Sequence, residues 1–174
     1  MKWLLLISMF FNINNEIIIF DKDKNDQKWF ITNDDVMGGI SNSTIEIDKS
    51  GSAIFSGKVS TDNNGGFAMT RLPLDIKLDD EKSKIIIEID GDDKEYQLRI
   101  KSRKYQRYWF VQRFFAKKGL QKIELSLKDF RASFRGYELD LENFSDSEIK
   151  ELAILIGNKK NESFSLKINK ITIQ

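Results

Sequence analysis

The stretch Asn33-Asp34-Asp35-Val36-Met37-Gly38-Gly39-Ile40-Ser41 sets two adjacent carboxylates beside two glycines. Carboxylates next to a flexible backbone can ligate a hard cation or serve as an acid and a base. The same residue types also describe a tight loop whose Asx side chains satisfy their own backbone. Asp62-Asn63-Asn64-Gly65-Gly66 has the same character and also leads into a strand. Two such loops can converge at one end of a β-sandwich, where sandwich ligand sites commonly lie. A third feature is electrostatic. Residues 93–137 carry a local charge of +9; Arg99, Lys101 and Arg103 alternate along one strand, and Tyr105, Tyr108, Trp109, Phe114 and Phe115 are interleaved with Arg107 and Arg113. A basic, aromatic-studded sheet can hold single-stranded nucleic acid. The plainer reading is a solvated strand face with its rings in the core.

Composition removes much other chemistry. The 174 residues contain no Cys, no His and one Pro. Thiol nucleophiles, Cys-ligated zinc, Fe–S clusters, disulfides and Ser-His-Asp sites are therefore excluded. A formal charge of +1 argues against a nucleic-acid binder as a whole, although not against a local patch. Carboxylate chemistry and oxygen-ligated cations survive this filter, although no metal, cofactor or catalytic residue is expected. Asp34 and Asp35 are sequence neighbours that can point different ways, which makes them a poor hydrolytic pair.

The elements that must position these residues read as strands. Twenty-three Ile and 13 Phe suit pleated, half-buried surfaces. Thr44–Asp48 alternates with period two, Lys49-Ser50-Gly51 turns the chain, and Ala53–Val59 returns. Phe67–Leu72 forms a strand that Pro73 is expected to end. Ile85–Ile89 and Tyr96–Ile100 bracket the turn Gly91-Asp92-Asp93, and Tyr108–Phe115 is a long aromatic strand. Alternation along Tyr96–Arg103 predicts Leu98 and Ile100 inward, with Arg99, Lys101 and Arg103 facing solvent. Ser145-Asp146-Ser147-Glu148 matches a capping box and predicts a short helix over Asp146–Leu152. Phe164, Leu166 and Ile168 share one face while Ile171 and Ile173 take the other parity, which predicts a bulge near Asn169. About eleven strands with turns every 8–12 residues point to an all-β sandwich or jelly roll of one domain, residues 16–174.

Residues 1–15 read as a leader or a signal peptide, with a frayed terminus or a first β-strand as the plainer alternative. Lys2 precedes an apolar run from Trp3 to Phe11, too short to span a bilayer but long enough for a signal-peptide core. No small-residue cleavage site follows. Cytoplasmic and exported locations are both compatible with it. No integral membrane segment is expected.

The order of the motifs resembles one family. Trp29-x-x-x-Asn33-Asp34-Asp35-Val36-Met37-Gly38-Gly39-x-Ser41 is similar to the hallmark of the complex I intermediate-associated protein 30 family. Phe55-x-Gly57-x-Val59-Ser60, Asn63-Asn64-Gly65-Gly66-Phe67-Ala68-x-x-Arg71 and Gly91-Asp92-Asp93-Lys94-x-Tyr96 follow in the family's order. So do Phe130-x-x-x-Phe134-Arg135-Gly136 and Ile154–Lys160. Two departures stand out. Asp93 replaces a usual glycine, and Ala132-Ser133 stands where a proline is common.

This resemblance implies a galactose-binding-like jelly-roll β-sandwich, akin to carbohydrate-binding modules. It implies a non-enzymatic assembly module of the kind that chaperones respiratory complex I, like the family's short bacterial-type members. The expected partner is a protein, with respiratory-complex subunits among the candidates; carbohydrate is the alternative. No specific nucleic-acid partner and no cofactor are expected. The motif residues expected to share one face or rim are Asp34, Asp35, Met37, Gly38, Gly39, Ser41, Asn63, Asn64, Gly65, Gly66, Phe67, Arg71, Arg135 and Gly136. If that rim is structural, Asp35 is expected to bond backbone N–H groups or an arginine, Arg71 or Arg135. A carbohydrate site would need an exposed ring, for which Trp29, Tyr105 and Trp109 are candidates.

Overall fold

The computed structural model describes residues 16–18, 29–79 and 83–174. The leader expected over 1–15 lies outside the described residues. Among the described residues, thirteen strands assemble into two curled antiparallel sheets. The first sheet contains β3 (Asn42–Ile47), β4 (Ala53–Val59), β13 (Glu162–Ile173), β6 (Lys84–Gly91) and β9 (Gly119–Ser126), in that order. The short β1 (Glu16–Ile18) pairs with the far half of β13. The second sheet runs β11 (Tyr137–Glu138), β10 (Arg131–Phe134), β8 (Trp109–Ala116), β7 (Lys94–Lys101), β12 (Glu148–Ile156), β5 (Ala68–Lys77) and β2 (Phe30–Asn33). Every strand pairing is antiparallel, as the jelly-roll reading required.

The core lies between the sheets. Phe55, Ile85, Ile87, Ile89, Leu166, Ile168 and Ile171 meet Leu72, Tyr96, Leu98, Ile100, Leu152 and Ile154 there, all fully buried. Burying side chains of this size contributes about 1.5–3 kcal/mol each, which offsets the chain entropy lost on ordering. Tyr96 keeps its hydroxyl satisfied by donating to Asp92 Oδ2 at 2.9 Å. Burial, reinforced by the Asp92 charge, drives its phenol far above the ordinary range.

The register slip between Ile168 and Lys170 sits where the parity change placed it. Two local expectations fail. No helix occupies Asp146–Leu152; Glu148–Ile156 is strand β12. It lies between β7 and β5; Leu152–Ile156 is buried on both faces and reads as a continuous apolar run, while Glu148, Lys150 and Glu151 place charges behind a cap-like Ser145 and so mimic the first turn of a helix. The short helices that do occur are 3-10 turns at Asp34–Met37, Asp62–Asn64 and Leu127–Asp129. Pro73 does not end β5 either. It sits opposite Glu151, beside the bulge between Ile149 and Glu151 and beyond the last β2 pairing at Arg71. A ladder irregularity at a partly unpaired edge tolerates a missing N–H.

Candidate functional site

Asp34 joins the two glycine loops. Its carboxylate accepts the Ser41 hydroxyl at 2.5 Å, the Ser41 N–H at 3.1 Å, the Gly66 N–H at 2.6 Å and the Phe67 N–H at 3.2 Å. Ser41 Oγ in turn accepts the Ser60 N–H at 3.0 Å. Three motif segments therefore meet at one buried corner, with Asp34 and Ser41 only 5% and 7% exposed. The glycines make that approach possible. A Cβ on Gly39 would fall on Asp34 Oδ1, and one on Gly65 would press on Asp34 Oδ2 and the Ser60 carbonyl. Burial pushes the Asp34 carboxyl up. The Ser41 hydroxyl and the N–H groups of Gly66, Phe67 and Ser41 outweigh it and hold the group below its ordinary value.

The expected role of Asp35 thus belongs to Asp34. Asp35 is exposed and its carboxylate takes no hydrogen bond from the described residues, while Arg71 pairs with Glu151. The 3-10 turn orients successive side chains apart, so only the first carboxylate enters the corner. Gly38 closes that turn and Met37 is its last residue. Asn63 and Asn64 adopt left-handed backbone and stay exposed. Arg135 and Gly136 do not join this corner. They form the positive-φ turn of the β10–β11 hairpin, at the opposite edge of the sheet from β2. Asp93 keeps the left-handed backbone a glycine would adopt there, at φ 62°, and accepts the Lys118 N–H at 2.8 Å.

The outer face of the seven-stranded sheet carries the remaining polar chemistry. Met69, Trp109, Ala153 and Leu155 form a second apolar cluster there, with Phe67 and Val111 packed against it. Glu151 lies among them. Arg71 donates to Glu151 Oε1 through Nε at 2.6 Å and through its second nitrogen at 2.5 Å. Lys101 Nζ stands 3.4 Å from Glu151 Oε2 and 4.2 Å from the centre of the Trp109 ring. Arg71 also stacks on Phe30, at 4.8 Å. Lys101, Glu151 and Trp109 are each less than a tenth exposed, so the three side chains cover one another on this face.

The expectation that Arg99, Lys101 and Arg103 line up in solvent is corrected accordingly. Leu98 and Ile100 do point inward. Lys101 is buried over Trp109, Arg99 is half-buried, and Arg103 is exposed in the turn beyond β7. Among the described residues, Arg99 donates only to Gln97 Oε1, at 3.0 and 2.6 Å. Burial, and then the neighbouring Arg113, pull its guanidinium down to about 10.

Sequence comparison identifies the family. The model of the complex I intermediate-associated protein 30 family matches residues 18–168. The chain belongs to that family. The matched span contains the Asp34 corner and the whole outer face of the seven-stranded sheet. No match was found among the curated proteins. Among solved structures, the chain is similar to a family 11 carbohydrate-binding module from Clostridium thermocellum in complex with a β-1,3-1,4-mixed-linked tetrasaccharide. That likeness has 18% identity and a TM-score of 0.64, and covers 91% of this chain and 95% of the module. A low-affinity xylan-binding module from Roseburia intestinalis is also similar, at 10% identity and a TM-score of 0.53, covering 92% and 94% of the two chains. At these identities the likeness shows the fold alone, a β-sandwich.

Among the described residues no group of three or more acidic side chains could hold a metal ion, and no helix is long and apolar enough to cross a membrane. Of the three candidate sugar platforms, Trp109 lies beneath Lys101, Trp29 packs against the core, and Tyr105 alone is freely exposed.

Proposed function

We propose that this chain is a non-enzymatic binding module that holds a protein partner, in the manner of an assembly chaperone for respiratory complex I. The observation that carries the reading is the commitment of Asp34 to the fold. The motif's one buried carboxylate accepts four internal hydrogen bonds, three on Oδ2 and one on Oδ1, and so is turned into the corner rather than presented to a ligand. The family motif then serves to lock a corner, and binding falls to the outer face of the seven-stranded sheet. Arg71, Phe67 and Gly136 of the motif border that face. Membership of a family named for association with complex I intermediates supports a protein as the partner.

Carbohydrate binding is the second reading, favoured by the likeness to sugar-binding modules. The burial of Trp109 under a lysine weighs against it, since sugars stack on open rings. One experiment separates the two. The tagged chain is expressed in its host, membranes are solubilised gently, and co-purifying proteins are identified. Enrichment of NADH:ubiquinone oxidoreductase subunits is the expected result. Their absence, together with retardation on mixed-linkage glucan or xylan gels, overturns it.

A further inference from the structure

Two turns stand side by side at one end of the seven-stranded sheet. Residues 102–108 join β7 to β8, and Arg135-Gly136 joins β10 to β11. They meet at the start of β8, where Trp109 faces Ser133 of β10. Arg103, Lys104 and Arg107 of the first turn are exposed, as is Arg135 of the second. Tyr105 beside them is 87% exposed and Tyr137 78%. The guanidiniums of Arg107 and Arg135 stand 5.8 and 5.5 Å from the centre of one ring, Phe134. Lys104 Nζ stands 5.8 Å from the centre of the Tyr105 ring. No carboxylate occurs in residues 102–108 or 130–137. Glu138 is held by Arg131, and across the sheet Asp75 and Glu148 are held by Lys150. Asp140 and Glu142 follow as the chain runs back along β10, where Leu139 and Phe144 bond the Ala132 and Phe130 carbonyls. Among the described residues, none of the four turn cations has an ion pair. Like charges gathered without counter-ions favour an anion from outside.

The tip is braced from within. Gln106 is buried, accepts the Ser102 N–H at 3.3 Å and its hydroxyl at 2.9 Å, and donates to the Tyr108 carbonyl at 3.1 Å. Its neighbours are thereby left on the outside. In the hairpin, φ is +51° at Arg135 and +85° at Gly136, as a type I′ turn requires. Asn, Asp or Gly suits the first of these positions, and an arginine there is strained. A strained, exposed charge that does nothing for the turn points to a use outside the fold.

We propose that this tip docks the protein on an anionic lipid bilayer. The four cations meet headgroup phosphates, and Tyr105 and Tyr137 enter to headgroup depth, where amphipathic rings settle. The inference goes beyond the protein-partner reading and uses no residue of the Asp34 corner. Projecting turns suit a flat surface better than a peptide, which needs a groove or a strand edge. Cations lie over Phe134 and Tyr105, which denies those ring faces to stacked bases. With +9 in residues 93–137 and +1 in the whole chain, the other residues carry −8. That excess repels a polyanion wrapped around the molecule, but not a surface met at one tip.

The test is co-sedimentation of the full chain with phosphatidylcholine vesicles, pure or with about three-tenths phosphatidylglycerol, at low and at physiological salt. The mixed vesicles should bind at least about 10-fold more tightly than the pure ones, and salt should shrink that preference. Removing one tip cation should lower it about 5-fold, and Arg107→Gln with Arg135→Asn about 25-fold. Lys58→Gln removes an exposed charge on β4 and should match the wild type. Arg135→Asn supplies a residue that accepts the left-handed position, so its melting temperature should hold or rise while binding falls. Tyr105→Ser should weaken binding at both salt concentrations, because ring burial is not screened. Equal binding to the two vesicles, or an undiminished preference in the double variant, overturns the site. A lowered melting temperature in Arg135→Asn with binding intact makes that arginine structural and overturns it too. Inorganic phosphate, a thymidine oligonucleotide or polyglutamate bound through Arg107 and Arg135, without vesicle binding, overturns the choice of a bilayer.

Discussion

Asp34 Oδ2 accepts the backbone N–H of Gly66 at 2.6 Å, across 32 positions of sequence. That bond ties the loop before β3 to the loop before β5, and thereby connects the two sheets at one corner. It also explains why acid and glycine must co-occur. The carboxylate reaches the amide only because Gly39 and Gly65 present no Cβ.

Asp34→Ala should destabilise the protein by about 3 kcal/mol, since it strands several buried donors at once. Asp35→Ala should stay within about 0.5 kcal/mol, as expected for an exposed side chain without partners. Urea unfolding of the two variants tests the assignment, and equal losses would refute it.

The same corner should weaken in acid. The Asp34 carboxyl is held below its ordinary value in the folded state. Its contribution is therefore complete above the unfolded value near 3.8, and it is lost as pH falls through the lower folded value. The stability gap between wild type and Asp34→Asn should be constant from pH 7 to about 5 and close progressively below about 4. A gap that widens in acid contradicts the direction of the shift.

Glu151 serves two cations, so its removal should cost more than a single ion pair. Glu151→Met leaves Arg71 and Lys101 beside buried Trp109 without a counter-ion, and about 3 kcal/mol of destabilisation is expected. Adding Lys101→Met should recover part of that loss, because one stranded charge then disappears. A double-mutant cycle by thermal melts measures the recovery; strict additivity would mean the two groups do not interact.

Asp93 holds a left-handed backbone and bonds the Lys118 N–H. Asp93→Ala removes the bond and keeps the steric penalty, for an expected loss of about 1–2 kcal/mol. Asp93→Gly trades the bond for relief of strain and should be nearly neutral. Equal losses for glycine and alanine in denaturant titrations would show that the bond, which both variants lack, outweighs the backbone strain.

Much of the sandwich was legible because alternation survives wherever one face is polar. Leu98 and Ile100 against Arg99, and the parity change near Asn169, are of this kind. Glu148–Leu152 reads as a helix because Ser145 to Glu148 mimics a helix cap and charged residues follow it, although it is the first half of central strand β12. The meeting of the two glycine loops was readable from matched chemistry. Which of two adjacent aspartates turned inward depended on the 3-10 turn, which has no sequence signature here. The basic tip was legible as charge alone. The turn after β7 meets the β10–β11 hairpin because β7 and β10 both pair with β8, and only register places them together.

Strand β13 stands in the middle of its sheet, yet follows every other strand of that sheet in chain order. It pairs with β4 over its first half and with β6 and β1 over its second. On a ribosome, the hairpin of β3 and β4 and the pair β6–β9 would emerge with open edges and nothing to join them. Exposed, unpaired edges of this kind are templates for aggregation. Until residues 162–173 clear the exit tunnel, the nascent chain can form only half of its final architecture. Translation speed and the supply of holdase chaperones would then set the yield of native protein.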